Sequence, residues 1–293
     1  MIREKTVTSV LNKLKKRDSW FLVDYSTNPY SGCSVNCLYC YIRGSKYGAE
    51  MAVTIKSNAV QVFEKQLAAR ARKGQYGFIA LASATDAYMP IENDRRATRT
   101  FLEIILKHKF PLHLITKSTL VLRDLDLLRE IDRSAILPKD LQGKLNHGVI
   151  LASSFSTLDE RLAKIFEPAA PSPAERLEML AACKQSGLFV GANFIPLLPF
   201  LSDSESHIDE MIRAAKRHNV DYVLASGLTL FGTSNADSKT LVFKAIERYY
   251  SALLPEYEKL YRYGYSAPSS YLATIERAAK ASCAQHGVKY GIL

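Results

Sequence analysis

Three thiols fall within eight residues of this 293-residue sequence, Cys33-Ser-Val-Asn-Cys37-Leu-Tyr-Cys40, and the C-x3-C-x2-C spacing lets all of them reach one inorganic centre. Structural zinc normally takes four protein donors, and no fourth Cys or His lies nearby, the nearest histidine in sequence being His108; zinc is therefore disfavoured. A cubane iron–sulfur cluster also wants four ligands, so three thiolates leave one iron open to a substrate or cofactor. Plain core packing suits these cysteines poorly, because the loop is polar and contains Gly32 and Asn36. The five cysteines in all are too few and too unevenly placed for a disulfide framework. Of the two outside the loop, Cys183 sits in an Ala- and Leu-rich helical stretch and reads as core.

The elements that must hold this loop alternate regularly. Apolar runs at Trp20 to Tyr25, Phe78 to Ala82, Leu112 to Thr116, Val149 to Ser153, Leu188 to Ile195 and Tyr222 to Ala225 predict six strands. Amphipathic stretches between them predict helices near 58–73, 94–108, 123–131, 159–166, 173–185 and 205–218. Pro173 marks the start of one helix and Gly187 the stop. Strands apolar on successive residues are buried on both faces, and strands separated by helices pair in parallel through right-handed crossovers. The expectation is an α/β fold, an open or partial barrel over 20–235. A polar leader over 1–19 precedes it. A C-terminal helical extension over 236–293, with helices near 241–262 and 269–286, packs outside the barrel or across one end. In such a barrel the chemistry gathers just past the carboxyl end of each strand.

With 47% apolar and 23% charged residues the chain is an ordinary globular sequence. No apolar run approaches the roughly 18 residues of a membrane span, and the opening Met-Ile-Arg-Glu-Lys lacks the apolar core of a secretion signal; a cytoplasmic location is expected. Lys and Arg number 39 against 29 acidic residues, a net charge of +10. The excess is spread over 13–17, 70–73, 95–96 and 107–109. That surface suits contact with nucleic-acid phosphates, and equally suits solvated helix faces.

The cysteine loop, with an aromatic residue before its last cysteine, resembles that of the radical S-adenosylmethionine (SAM) superfamily. Narrower matches are Asn28-Pro-Tyr-Ser-Gly-Cys33, Cys40-Tyr41, Thr85-Asp-Ala-Tyr-Met-Pro-Ile-Glu92, Thr116-Lys-Ser118, Leu122-Arg-Asp124, Phe155-Ser-Thr157, Glu167-Pro168, Ala170-Pro-Ser-Pro173 with Arg176, and Ile195-Pro-Leu-Leu-Pro199. In this order they resemble the spore photoproduct lyase-like, or DNA-repair-photolyase-like, branch from about Asn28 to Gly227. The resemblance implies a partial (β/α)6 barrel and a [4Fe–4S] cluster on Cys33, Cys37 and Cys40. It also implies SAM, an external electron donor such as a flavodoxin or ferredoxin, and a 5′-deoxyadenosyl radical that abstracts hydrogen.

The strand-end residues take roles within that resemblance. Thr85 is expected to touch SAM, although a Thr-Asp pair is also common as a cap or turn. Lys117 could meet the SAM carboxylate or be a solvated lysine. By its spacing to Phe166-Glu-Pro168, Ser156 aligns with a SAM-contacting serine, with Ser154 in reserve. Asn193 could bond the ribose or adenine, and Tyr39 could lie against the adenine. Glu167 and Arg176 are read as an ion pair supporting the site. One departure stands out: spore photoproduct lyases carry a hydrogen-donating cysteine where this chain has Ser83, and an O–H bond is too strong to quench a carbon radical easily. Thymine-dimer reversal is thereby in doubt. Cys283 is a weak candidate donor if its helix folds over the barrel mouth, and a tyrosine, from Tyr261 to Tyr265 or Tyr271, is another. The substrate is left open, nucleic acid being one class. The competing reading is a non-catalytic iron–sulfur module that binds nucleic acid or senses redox state.

Overall fold

The computed structural model describes residues 3–46 and 51–293, so Met1 and Ile2 of the opening segment lie outside the described residues. Two short strands, β1 (Arg3–Lys5) and β2 (Leu11–Lys13), precede β3 (Val23–Thr27), β4 (Tyr30–Ser31) and β5 (Thr54–Lys56). Then α1 (Ala59–Arg72), β6 (Phe78–Leu81), α2 (Glu92–Arg95), α3 (Ala97–Lys107), β7 (Leu112–Ile115), α4 (Leu125–Ser134) and β8 (Val149–Ser154) follow. The barrel finishes with α5 (Glu160–Phe166), α6 (Pro173–Gln185), β9 (Phe189–Leu197), α7 (Glu205–Arg217) and β10 (Tyr222–Gly227). Beyond it lie α8 (Ser238–Tyr249), α9 (Leu254–Leu260), α10 (Ser269–His286) and β11 (Lys289–Tyr290).

The six expected strands form one parallel run in the order β3-β6-β7-β8-β9-β10, the partial (β/α)6 barrel anticipated. Two further strands flank it: β2, antiparallel to β3, and β11, parallel to β10. The stretch expected as a polar leader thus contributes β1 and β2 to sheets. Alternation along each strand makes two cores. Phe78, Ile150, Ala152, Phe189, Tyr222 and Leu224 fill the barrel interior, floored by Leu22, Leu141, Leu145 and Ile292. The alternate residues, Ile79, Leu112, Leu151, Val190 and Val223, pack against the outer helices. Gly191 is what admits the Tyr222 ring, since a Cβ there would stand 2.0 Å from its Cζ.

Three boundaries differ from the periodicity, each for a local reason. The first strand starts at Val23, not Trp20, because the Asp18 carboxylate accepts from the Trp20 and Phe21 N–H groups (2.9 and 2.7 Å) and Leu22 takes φ 56°. The helix expected over 94–108 is broken by Arg96 at φ 48° into α2 and α3. The one expected over 241–262 divides at 250–253, with Pro255 in the first turn of α9, where its missing N–H costs nothing.

Candidate active site

Gly32 opens the cysteine loop at φ +74°, and a Cβ on it would stand 2.3 Å from the Ala52 carbonyl oxygen, so only glycine fits this approach. The loop is then pinned at several points. The Cys33 N–H donates to Met51 O (3.2 Å) and the Leu38 N–H to Phe166 O (2.9 Å). Arg43 Nε donates to Cys37 O (3.1 Å) and Nη1 to Ala236 O (3.2 Å), while Nη2 bonds Asn36 Oδ1. The Ser238 hydroxyl, at the start of α8, donates to Arg43 O (3.3 Å), so the C-terminal extension clamps the loop.

All three thiols line one cavity of about 470 Å³ that runs from this loop into the barrel. Burial pushes the Cys37 thiol up to about 12 against the opposing pull of Lys117, and burial with the Asp86 charge pushes Cys33 up to about 11. Burial also raises Cys40. As free groups they hold their protons, which a metal must displace. Among the described residues no three His, Cys, Asp or Glu side chains converge as a group for a single metal ion. A cubane asks for something different, since it places each thiolate on its own iron.

The strand ends supply the facing wall. Thr85 Oγ1 donates to Gly32 O, tying the end of β6 to the cysteine loop, and Thr85 also lines the cavity. Asp86 performs the turn role: it accepts from the Tyr88 N–H (2.8 Å), Thr116 Oγ1 (2.7 Å) and the Lys117 N–H (2.9 Å), locking the ends of β6 and β7 together. Lys117 Nζ stands over the Tyr39 ring, 6.0 Å from its centroid. The Tyr39 hydroxyl donates to Glu167 Oε1, which also accepts from Ser156 Oγ (2.7 Å). Arg176 Nη2 meets Glu167 Oε2 at 2.7 Å, an ionic contact outside good hydrogen-bond direction. Burial alone would raise the Glu167 pKa; Lys117, Arg176, Tyr39 and Ser156 outweigh it and hold the carboxyl below its ordinary range, so the group is an anion. The same burial and that anion push Tyr39 far up, so it remains a donor.

The structure places the remaining sequence candidates as follows. Asn193 lines the cavity with both amide atoms, Oδ1 and Nδ2, buried and without a protein partner. Ser156 is a correction: it does not line the cavity, and its hydroxyl is committed to Glu167 while its carbonyl accepts from Ser202 Oγ (2.6 Å). Ser154 lines the cavity in its place, because it continues the inward phase of Ile150 and Ala152 along β8. Cys283 is a second correction: α10 packs on α7 and β10 outside the barrel, which buries the thiol in the outer core, away from the mouth. Cys183 is buried in the same layer. Ser83 lines the cavity, its carbonyl accepting from the Tyr41 hydroxyl (2.6 Å). Among the described residues Tyr39 and Tyr41 are the tyrosines of the cavity wall, and Tyr261 and Tyr271 are not. One residue escaped the sequence reading: His113, inward on β7 in phase with Ile115 and Lys117, lines the cavity deep in the barrel. Counting in twos back from Lys117 would have found it.

Comparison with known proteins matches residues 27–215 to the model of the radical SAM superfamily. The chain belongs to the radical SAM superfamily. As a radical SAM protein it uses a [4Fe–4S] cluster and SAM. An uncharacterized protein of Mycobacterium tuberculosis is 28% identical over 258 residues, 84% of this chain and 70% of that protein. An uncharacterized protein of Methanocaldococcus jannaschii is 31% identical over 193 residues, 64% of this chain and 65% of that one. In fold, a spore photoproduct lyase mutant with bound AdoMet and dinucleoside spore photoproduct superposes with a TM-score of 0.65 at 16% identity, covering 99% of this chain and 80% of that one.

The cavity suits both groups that this radical SAM chain requires. Its thiols are soft donors for iron, and the ammonium of Lys117 can meet a carboxylate. The unpartnered amide of Asn193 offers a donor and an acceptor to a ribose or purine edge.

Proposed function

We propose that this protein is a radical SAM enzyme that cleaves SAM reductively and abstracts hydrogen from a nucleic-acid or nucleotide substrate admitted at the barrel mouth. The observation that carries the reading is the convergence of Cys33, Cys37, Cys40, Lys117 and Asn193 on one cavity at the strand ends. In this reading the three thiolates hold the cluster, Lys117 holds the SAM carboxylate, and Asn193 holds its nucleoside. Thr85 fixes the loop against the β6 end, and Tyr39 carries the Lys117 charge on its ring face. When bound, the reduced cluster and SAM together supply one electron to the sulfonium and a carbon radical. The barrel wall around Ala80, Ala82 and Ile115 is apolar, which excludes water from that chemistry. An external flavodoxin or ferredoxin is the proposed electron source, because the two remaining cysteines sit singly in the core.

Two features favour nucleic acid. The chain carries +10, and aromatic rings stand on the loop between α9 and α10. Tyr263 is 91% exposed with the Arg262 guanidinium 5.4 Å from its ring centroid, and Tyr265 stacks on Phe231 at 5.0 Å. Their loop is joined to the cavity wall through the Thr229–Ser266 bridge and the Leu230 N–H to Tyr265 O bond (2.6 Å). Exposed rings with adjacent cations suit stacked bases of a single strand.

Anaerobic reconstitution with iron and sulfide, then dithionite and SAM, tests the activity. Wild type should form 5′-deoxyadenosine and Cys37→Ala should not; a stable cluster without SAM cleavage would leave only a binding or sensing module. Binding to single- and double-stranded DNA and RNA across a salt series tests the substrate class, and an absent salt response removes nucleic acid.

A further inference from the structure

The cavity floor carries a polar atom that the cofactors do not engage in the reading above. His113 lies two residues before Ile115, the last residue of β7, roughly 7 Å deeper than the strand's carboxyl end at the rise of a parallel strand. Its Nδ1 is 2.7 Å from the Phe21 carbonyl oxygen. A carbonyl only accepts, so Nδ1 bears the hydrogen and the neutral ring presents Nε2 as an acceptor. That Nε2 is buried and has no protein partner. Burial pulls the His113 pKa down to about 4, outweighing the Phe21 carbonyl and Asp18, so the ring is neutral near pH 7. Phe21, Val23, Ala80 and Ile115 make the surrounding wall apolar, and the Phe21 ring stands edge-on to the imidazole at 5.6 Å.

A lone acceptor in an apolar recess costs free energy unless a ligand donates to it. We propose that His113 determines specificity by accepting one hydrogen bond, at Nε2, from an N–H or O–H on a flat ring of the substrate, as on the edge of a nucleobase. The inference rests on the cavity being the substrate chamber of the enzyme described above. It gives strong selection, because a shape-matched analogue without the donor leaves the buried acceptor unpaired.

Indole and 1-methylindole differ in that donor and serve as probes. Their binding to the cluster-reconstituted protein is measured by calorimetry, and the His113 Nε2 nitrogen-15 resonance is followed on the same samples. Indole should bind at least tenfold tighter than 1-methylindole and shift the Nε2 resonance, and the preference should fall to within about twofold in His113→Phe. Equal affinity for the two probes, no binding of indole, or an unmoved resonance in wild type overturns the proposal, and the resonance decides it even where His113→Phe fails to fold. Formation of 5′-deoxyadenosine by the same preparation is scored separately, so loss of SAM cleavage counts against the enzyme reading and loss of probe discrimination against His113.

Discussion

Arg176 Nη2 stands 2.7 Å from Glu167 Oε2 with both side chains closed to solvent, and this pair anchors the wall behind the cofactor cavity. The guanidinium also donates to the Ser154 carbonyl and lies 4.9 Å from the Phe155 ring centroid, so it joins the end of β8 to α6. Removing one member of a buried pair strands the other charge, which typically costs about 3–5 kcal/mol. Arg176→Leu should lose stability on that order in urea denaturation. Arg176→Leu with Glu167→Gln should lose less than the sum of the single changes; strict additivity would show that the pair is not coupled.

Lys117 should act on SAM rather than on the cluster. Its ammonium stands over Tyr39, and its backbone N–H, not its side chain, secures the β7 end to Asp86. Lys117→Ala should therefore keep the cluster absorbance while weakening SAM binding about tenfold or more, the scale of a lost charge-assisted hydrogen bond. Equilibrium dialysis with labelled SAM reads the change, and Lys117→Arg should restore part of it. Unchanged affinity in Lys117→Ala would remove the residue from the SAM site.

Gly32→Ala should impair the cysteine loop directly. At φ +74° with the Ala52 carbonyl 2.3 Å from a Cβ, the substitution forces the backbone to shift, at a cost of about 1–3 kcal/mol for the strain alone. Because Cys33 is the next residue, iron and sulfide retained after anaerobic reconstitution should fall. Stoichiometric cluster in this variant would show that the loop adapts.

Why some of this was readable from sequence and some was not follows from the range of the interactions. The strands were legible because barrel strands are apolar on both faces, and the cysteine triplet because its ligands are neighbours in the chain. The placement of Ser156 failed for a reason of phase: the inward face of β8 runs Ile150, Ala152, Ser154, and beyond the strand Ser156 turns away to Glu167. The Glu167–Tyr39 bond joins residues 128 positions apart, which no local pattern encodes. Cys283 was ambiguous because helical periodicity shows that a face is buried but not against what; α7 and β10 cover it.

Cys283 therefore belongs to packing, and its removal should separate packing from chemistry. Cys283→Ala should leave the rate of 5′-deoxyadenosine formation within about twofold of wild type and cost about 1 kcal/mol in denaturation, as expected for a small buried side chain. A loss of turnover without a loss of stability would return the thiol to the reaction.

Acid should find His113 first. Its pKa is about 4 in the fold and 6.5 when exposed, so above pH 6.5 the ring is neutral in both states and contributes no pH dependence. As pH falls from 6.5 toward 4 the unfolded chain takes up a proton that the folded chain refuses, and stability declines by up to about 3 kcal/mol; below pH 4 both states are protonated and the loss levels off. His113→Phe keeps a ring against Phe21 but has no proton to take. Urea denaturation between pH 4 and 7 should give a flatter stability profile for His113→Phe than for wild type over that window. Parallel profiles would mean that the imidazole is solvated and titrates in the folded protein as it does in the unfolded chain.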